Sequence, residues 1–205
     1  MRLVDALSMI VAMNVPVFTT RDTAARLRVS NGYASLSLAR LADAGHLVRL
    51  RQGLWALPNR VDHLALPEYL TAPLPSYVSL QSALYLHGII SQMPATTYAV
   101  SLARTKRIVT PLGAVSLHHV QPSFFFGFVD SGALGGRLAT PEKALVDFLY
   151  LTQARSLLFR ALPEIGWPKG FNVRGTWNIV ERISSPRRRT LVTRRLDALL
   201  ASRTR

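Results

Sequence analysis

Asn31, Gly32, Ser35 and Arg40 lie on the polar side of a segment whose Ala34, Leu38 and Leu41 recur at helical spacing. Carboxamide, hydroxyl and guanidinium groups so placed suit hydrogen bonding to base edges in a major groove. Ser30 and Tyr33 complete this candidate contact set at the start of the same helix. Further on, Arg49 and Arg51 sit two apart on one face of a strand-like run. Guanidinium groups there suit phosphates or the edge of a minor groove. The ligand these groups imply is duplex DNA.

The elements that must position them are legible nearby. Thr20 is suited to cap a short helix with Ala24, Ala25 and Leu27 as its apolar face, and Val29 leads into a turn. Ser30 is a good N-cap for the second helix, and Gly45 stands where a left-handed C-terminal residue is wanted. Residues 47–51 and 54–57 read as strands joined by a turn at Gln52-Gly53. A helix over 3–13, with Leu3, Leu7, Ile10 and Val11 on one side, closes this unit. The order is that of a winged helix-turn-helix, whose second helix inserts its first turn into the major groove. Trp55 is expected in the core beneath the helices.

Charge agrees with this reading. The 205 residues carry 25 Lys and Arg against 11 Asp and Glu, a formal net charge of +14, which suits a polyanionic partner. RNA or a membrane surface would attract the same charge. The excess is five through Arg60, two from Val61 to Val173, and seven from Arg174 onward. Within the last stretch Arg187, Arg188, Arg189, Arg194 and Arg195 form a secondary basic patch. No uninterrupted apolar run is long enough to span a bilayer, and Leu3 to Met13 lacks the features of a cleaved signal, so a cytoplasmic protein without a membrane partner is expected. Cysteine is absent, which removes disulfides and thiolate metal sites.

Length and a 49% hydrophobic content allow two domains with buried cores. The expected fold is α+β: a winged helix-turn-helix over 1–60, a proline-punctuated boundary over 61–75, and a mixed α/β domain over 76–205 with a basic helical end. Ser79 is suited to cap a helix that Gly88 ends. Residues 97–101 and 114–120 read as strands, linked by the basic Arg104-Thr105-Lys106-Arg107 and a turn over 110–113. Phe124, Phe125, Phe126 and Phe128 are expected in the core, since flanking positive charge is lacking there. Thr140, Pro141 and Glu142 open another helix.

In this order, Arg51-Gln52-Gly53-Leu54-Trp55-Ala56-Leu57, then Ser82-Ala83-Leu84-Tyr85-Leu86-His87-Gly88, then Thr140-Pro141-Glu142-Lys143-Ala144-Leu145-Val146-Asp147, the chain resembles the abortive-infection type E antitoxins. The resemblance spans nearly the whole chain. It implies an antitoxin that represses its own operon by binding inverted repeats through the winged helix. It also implies that the remaining part counteracts a nucleotidyltransferase-like toxin, in a type IV arrangement where the two generally form no stable complex. The basic end over 187–205 maps onto no motif of that family.

Enzyme chemistry finds little support. His87, His118 and His119 are the best acid–base candidates, yet no serine or carboxylate stands at a spacing that marks a nucleophilic site. His118 and His119 point to opposite faces of a strand, and His87 is placed to meet its own helix's terminal carbonyls. A metal-dependent nuclease would draw on Asp130, Glu142, Lys143 and Asp147, but Glu142 and Lys143 are neighbours on a helix. Gly132, Gly135 and Gly136 fit a turn rather than a phosphate loop. No catalytic residue, metal or cofactor is expected. A ligand-responsive repressor is the remaining alternative, with a pocket lined by Phe124, Phe125 and Tyr98.

Overall fold

The computed structural model describes residues 2–132, 136–151 and 165–203, without the side chains of residues 202 and 203. Gly135 of the expected turn and Arg205 of the basic end lie outside them. The chain begins with α1 (Leu3–Val11), β1 (Val17–Thr19), α2 (Thr20–Leu27), α3 (Asn31–Asp43), β2 (Val48–Arg51) and β3 (Leu54–Ala56). Ile10, Phe18, Leu38, Leu41, Leu47, Trp55 and Leu57 form its core. Trp55 is 4% exposed, as expected. Leu3 is 39% exposed instead, and the small Ala6 is buried one turn ahead of Ile10, where α1 meets α2 and α3.

The cap of α2 is Thr19, not Thr20. The Asp22 N–H donates to Thr19 Oγ1 at 3.1 Å and the Thr19 N–H to Asp22 Oδ2 at 2.8 Å, a reciprocal capping box. Thr20 is otherwise engaged: its hydroxyl accepts the Trp55 indole N–H at 2.9 Å. Ala25, expected on the apolar face, is exposed, and Thr23 is buried instead. The helix ends at Arg28, with φ 55°, a left-handed conformation costing a non-glycine residue about 1 kcal/mol. Arg28→Gly is therefore expected to raise the unfolding free energy by about 0.5–1 kcal/mol in urea melts. A loss of stability would contradict this account of the turn.

The three short strands form a sheet in the order β1-β3-β2, both pairings antiparallel. The hairpin turns at Gly53, φ 72°. Residues 61–75 carry a short helix, α4 (Leu66–Thr71). Its Leu66 and Leu70 join Leu50, Leu54 and Ala56 of the wing in one cluster with Ala99, Val115 and Leu117 of the next sheet.

That sheet belongs to the second unit, which continues with β4 (Ser76–Val78), α5 (Leu80–Leu86), β5 (Thr96–Ser101), β6 (Lys106–Thr110), β7 (Gly113–His119), β8 (Phe128–Asp130), β9 (Arg137–Ala139), α6 (Pro141–Leu151), α7 (Val173–Glu181) and α8 (Pro186–Arg203). The six strands run β6-β7-β5-β4-β9-β8, mixed parallel and antiparallel. Alternation along β5 divides the interior. Ala99 faces α4 and the wing, whereas Tyr98 and Val100 join the larger core with Phe148, Val180 and Leu196 of α6, α7 and α8. The basic stretch expected as a linker is partly the edge strand β6.

His118 and His119 do face opposite ways: His118 is 7% exposed and His119 is exposed. His118 Nε2 lies 3.0 Å from the Ser116 hydroxyl, and burial pushes its pKa down to about 4. Between the ordinary histidine value near 6.5 and about 4, the unfolded chain takes up a proton that the folded one refuses, so stability falls on acidification through that window. The loss is on the order of 2–3 kcal/mol. His118→Gln is expected to flatten the pH dependence of the urea midpoint relative to wild type; parallel profiles would contradict it.

Candidate nucleic-acid interface

Helix α3 is set by two local devices. The Ser30 hydroxyl accepts the Tyr33 N–H at 3.2 Å, so this oxygen opens the helix, and Gly45, with φ 78°, lets the chain leave it. Ala34, Ser37, Leu38 and Leu41 point inward. Asn31, Gly32, Tyr33, Ser35, Leu36 and Arg40 are exposed. At 100° per residue the middle of the outward face falls on Gly32 and Leu36, flanked by Ser35 and Arg40. Leu36 is 52% exposed and Tyr33 41%. Sequence reasoning missed Leu36, whose residue type suggests core; the signal was its angle, opposite the Ala34-Leu38-Leu41 stripe.

The wing places Arg49 and Arg51 outward with Leu50 buried between them. Their pairing is irregular: Arg49 lies opposite Trp55 and Arg51 opposite Leu54, a bulge that re-aims side chains at the tip. The Arg49 guanidinium carbon stands 5.6 Å from the Trp55 ring centroid, within cation–π range. Among the described residues, no ion pair engages Arg40, Arg49 or Arg51. The first turn of α3 carries no acidic residue, whereas Asp43 is exposed at its far end. An anionic ligand is thus favoured at the N-terminal half of α3, where the helix dipole adds to the attraction.

The secondary patch is not one surface of five equal arginines. Arg188 donates to the Tyr150 hydroxyl at 2.7 Å, and Arg195 donates to the Leu149 carbonyl at 3.5 Å. Both hold α8 against the C-terminal turn of α6, whose carbonyls attract cations. Arg187, Arg189 and Arg194 are exposed.

The strongest polar cluster is elsewhere and fully enclosed. Lys143 and Asp147, one turn apart on α6, are 0% exposed and form an ion pair. The Tyr77 hydroxyl and the Ser79 hydroxyl donate to Asp147 Oδ2 at 3.0 and 2.8 Å. The Lys143 ammonium sits 3.9 Å from the Phe124 centroid, 5.1 Å from Phe126 and 5.6 Å from Tyr77. Positive charge does reach the phenylalanine run, through Lys143 and through Arg182, 3.4 Å from the Phe126 centroid; it arrives from distant sequence. Burial pushes the Lys143 amine below its usual range and the Asp147 carboxyl above its own. Burial, with the Asp147 charge adding to it, holds the Tyr77 hydroxyl well above its usual value, so it stays a donor.

The cluster is an internal brace with no approach for a substrate. Ser79, expected to cap α5, turns its hydroxyl to Asp147 instead. His87 donates Nε2–H to the Ala139 carbonyl at 2.7 Å, not to the end of its own helix. Glu142 accepts the Asn172 N–H at 3.0 Å and Asp130 is exposed on β8, so neither joins Lys143 and Asp147. Among the described residues, no three His, Asp or Glu could hold a metal ion, and no helix is long and apolar enough to cross a membrane. Phe124 stacks on Tyr150 at 4.5 Å, Phe125 tilts against Tyr77 at 5.1 Å and Tyr98 stacks on His118 at 6.1 Å. These rings pack against one another and their neighbours within the second unit.

A three-helix unit with a bulged two-stranded wing, its third helix exposing Asn31, Ser35 and Arg40 around Gly32 and Leu36, backed by a mixed six-stranded sheet under helices, defines a winged helix-turn-helix protein of mixed α/β build. Residues 5–58 match the family model described as transcriptional regulator, AbiEi antitoxin. The match covers about a quarter of the chain and lies within the winged-helix unit, which is similar to that family over those residues. No curated protein matches the chain.

Proposed function

We propose that the chain binds duplex operator DNA as inverted repeats, represses its own operon, and counteracts a nucleotidyltransferase-like toxin in the cytoplasm. In this reading α3 enters the major groove by its first turn, Asn31, Ser35 and Arg40 meet base edges, and Arg49 and Arg51 grip the backbone. Ser30 and Tyr33 start the helix, and Gly32 leaves its first turn open. The observation that carries the reading is the outward face of α3 together with two exposed wing arginines, Arg49 and Arg51, that no ion pair engages among the described residues. Toxin neutralisation rests on the family match and on the two motifs over 82–88 and 140–147, and in a type IV arrangement it needs no stable complex.

A reporter under the DNA upstream of the chain's own coding sequence tests the first half. The chain is expected to repress it, and Asn31→Ala or Arg40→Ala to release repression; a reporter indifferent to the chain would contradict regulation. Co-expression with the nucleotidyltransferase-like product of the same operon tests the second. Growth is expected to be restored, and unrelieved arrest would remove the antitoxin role.

A further inference from the structure

We infer that Leu36 is a specificity residue that reads the C5-methyl group of thymine in the operator half-site, with Gly32 giving the base edge room to approach; this rests on the DNA-binding reading above. The outward middle of α3 is not polar. Gly32 and Leu36 stand one turn apart at its centre, and Ala39, one turn past Ser35, is only partly buried. A Cβ placed on Gly32 would meet no atom within 4 Å, so packing does not demand glycine there. Its φ is not in the left-handed range either, since Gly32 is absent from the positive-φ residues. What glycine leaves is an open notch beside a leucine that is 52% exposed.

A leucine half in water at the centre of a helix face is unfavourable in the free protein, and an apolar partner would remove that cost. The surroundings say which partner. Ser35 and Arg40 flank the strip, and the exposed Arg49 and Arg51, with no ion pair among the described residues, stand on the wing of the same unit. That charge suits an anionic partner better than an apolar protein surface. The apolar group that a polyanionic duplex offers in its major groove is the thymine methyl, which distinguishes thymine from cytosine beyond their hydrogen bonds. Asp43, on the same face at the far end, repels phosphate and keeps the approach at the Gly32–Leu36 end.

The test is a series of duplexes from the chain's own upstream DNA in which each thymine of the protected half-site is replaced, one at a time, by deoxyuridine, removing only the methyl. Wild type is expected to lose about fourfold in affinity at one or two positions per half-site, the worth of one buried methyl-sized group. Leu36→Ala, at an exposed position, is expected to fold normally and bind thymine and deoxyuridine duplexes alike. Undiminished sensitivity in Leu36→Ala would overturn the assignment of Leu36. Deoxyuridine tolerated everywhere by wild type, with the upstream duplex still preferred over a scrambled one, would overturn this inference and leave operator binding standing. No preference for the upstream duplex at all would remove both.

Discussion

Asp147→Ala is expected to lower the unfolding free energy by about 3–5 kcal/mol, the effect seen when one member of a buried ion pair is removed. The replacement leaves the Lys143 ammonium enclosed among the Phe124, Phe126 and Tyr77 rings without its ion-pair partner. It also strips the acceptor from the Tyr77 and Ser79 hydroxyls, both buried, and each unsatisfied donor adds to the cost. For a chain of this size the midpoint should fall on the order of 10 °C. The pair itself need not stabilise: replacing both residues by apolar ones, as in Lys143→Met with Asp147→Leu, is expected to cost far less than the single change. Thermal and urea unfolding of the two variants decide this. A single variant within about 1 kcal/mol of wild type would mean that the cluster is not the brace of the second unit.

Arg49→Ala with Arg51→Ala is expected to weaken binding by about 2 kcal/mol, roughly thirtyfold, on upstream and scrambled duplexes alike. The reason is that the wing arginines meet phosphate, which is the same in every sequence. The slope of log affinity against log salt should become shallower by about 1.8, from two lost phosphate contacts. Asn31→Ala and Arg40→Ala should behave otherwise, costing about 1–3 kcal/mol on the upstream duplex and little on the scrambled one. Titration of each variant on both duplexes at several salt concentrations separates the two patterns. A selective loss from the wing pair, or a uniform loss from Asn31 and Arg40, would exchange or cancel the assigned roles.

What the sequence revealed and what it hid divide along one physical line. Local punctuation was readable: Ser30 caps α3, Gly45 and Gly53 take left-handed turns, and Thr140 accepts the Lys143 N–H at 3.3 Å. Choices that depend on a distant partner were not. Thr19 is the better cap on local grounds, because Asp22 three residues on completes a capping box that Thr20 cannot make, whereas the engagement of the Thr20 hydroxyl by the Trp55 indole comes from 35 residues away. Lys143 and Asp147 showed the four-residue spacing of a helical pair, but their burial depends on Tyr77, Phe124 and Phe126. Strand β6 hid in a basic stretch because an edge strand can carry exposed charge. At the candidate interface, polar type pointed to Asn31, Ser35 and Arg40, while Leu36 was passed over for the same reason.

The central claim is that the outer face of α3 reads sequence in duplex DNA. Its most direct test is the affinity of the purified chain for its own upstream duplex against a scrambled duplex of equal length, each titrated across salt. A preference of several hundredfold, about 4 kcal/mol, at the lower end of specific recognition and retained as salt rises, is expected. Equal affinities, both falling steeply with salt, would show charge acting without readout and would contradict the claim.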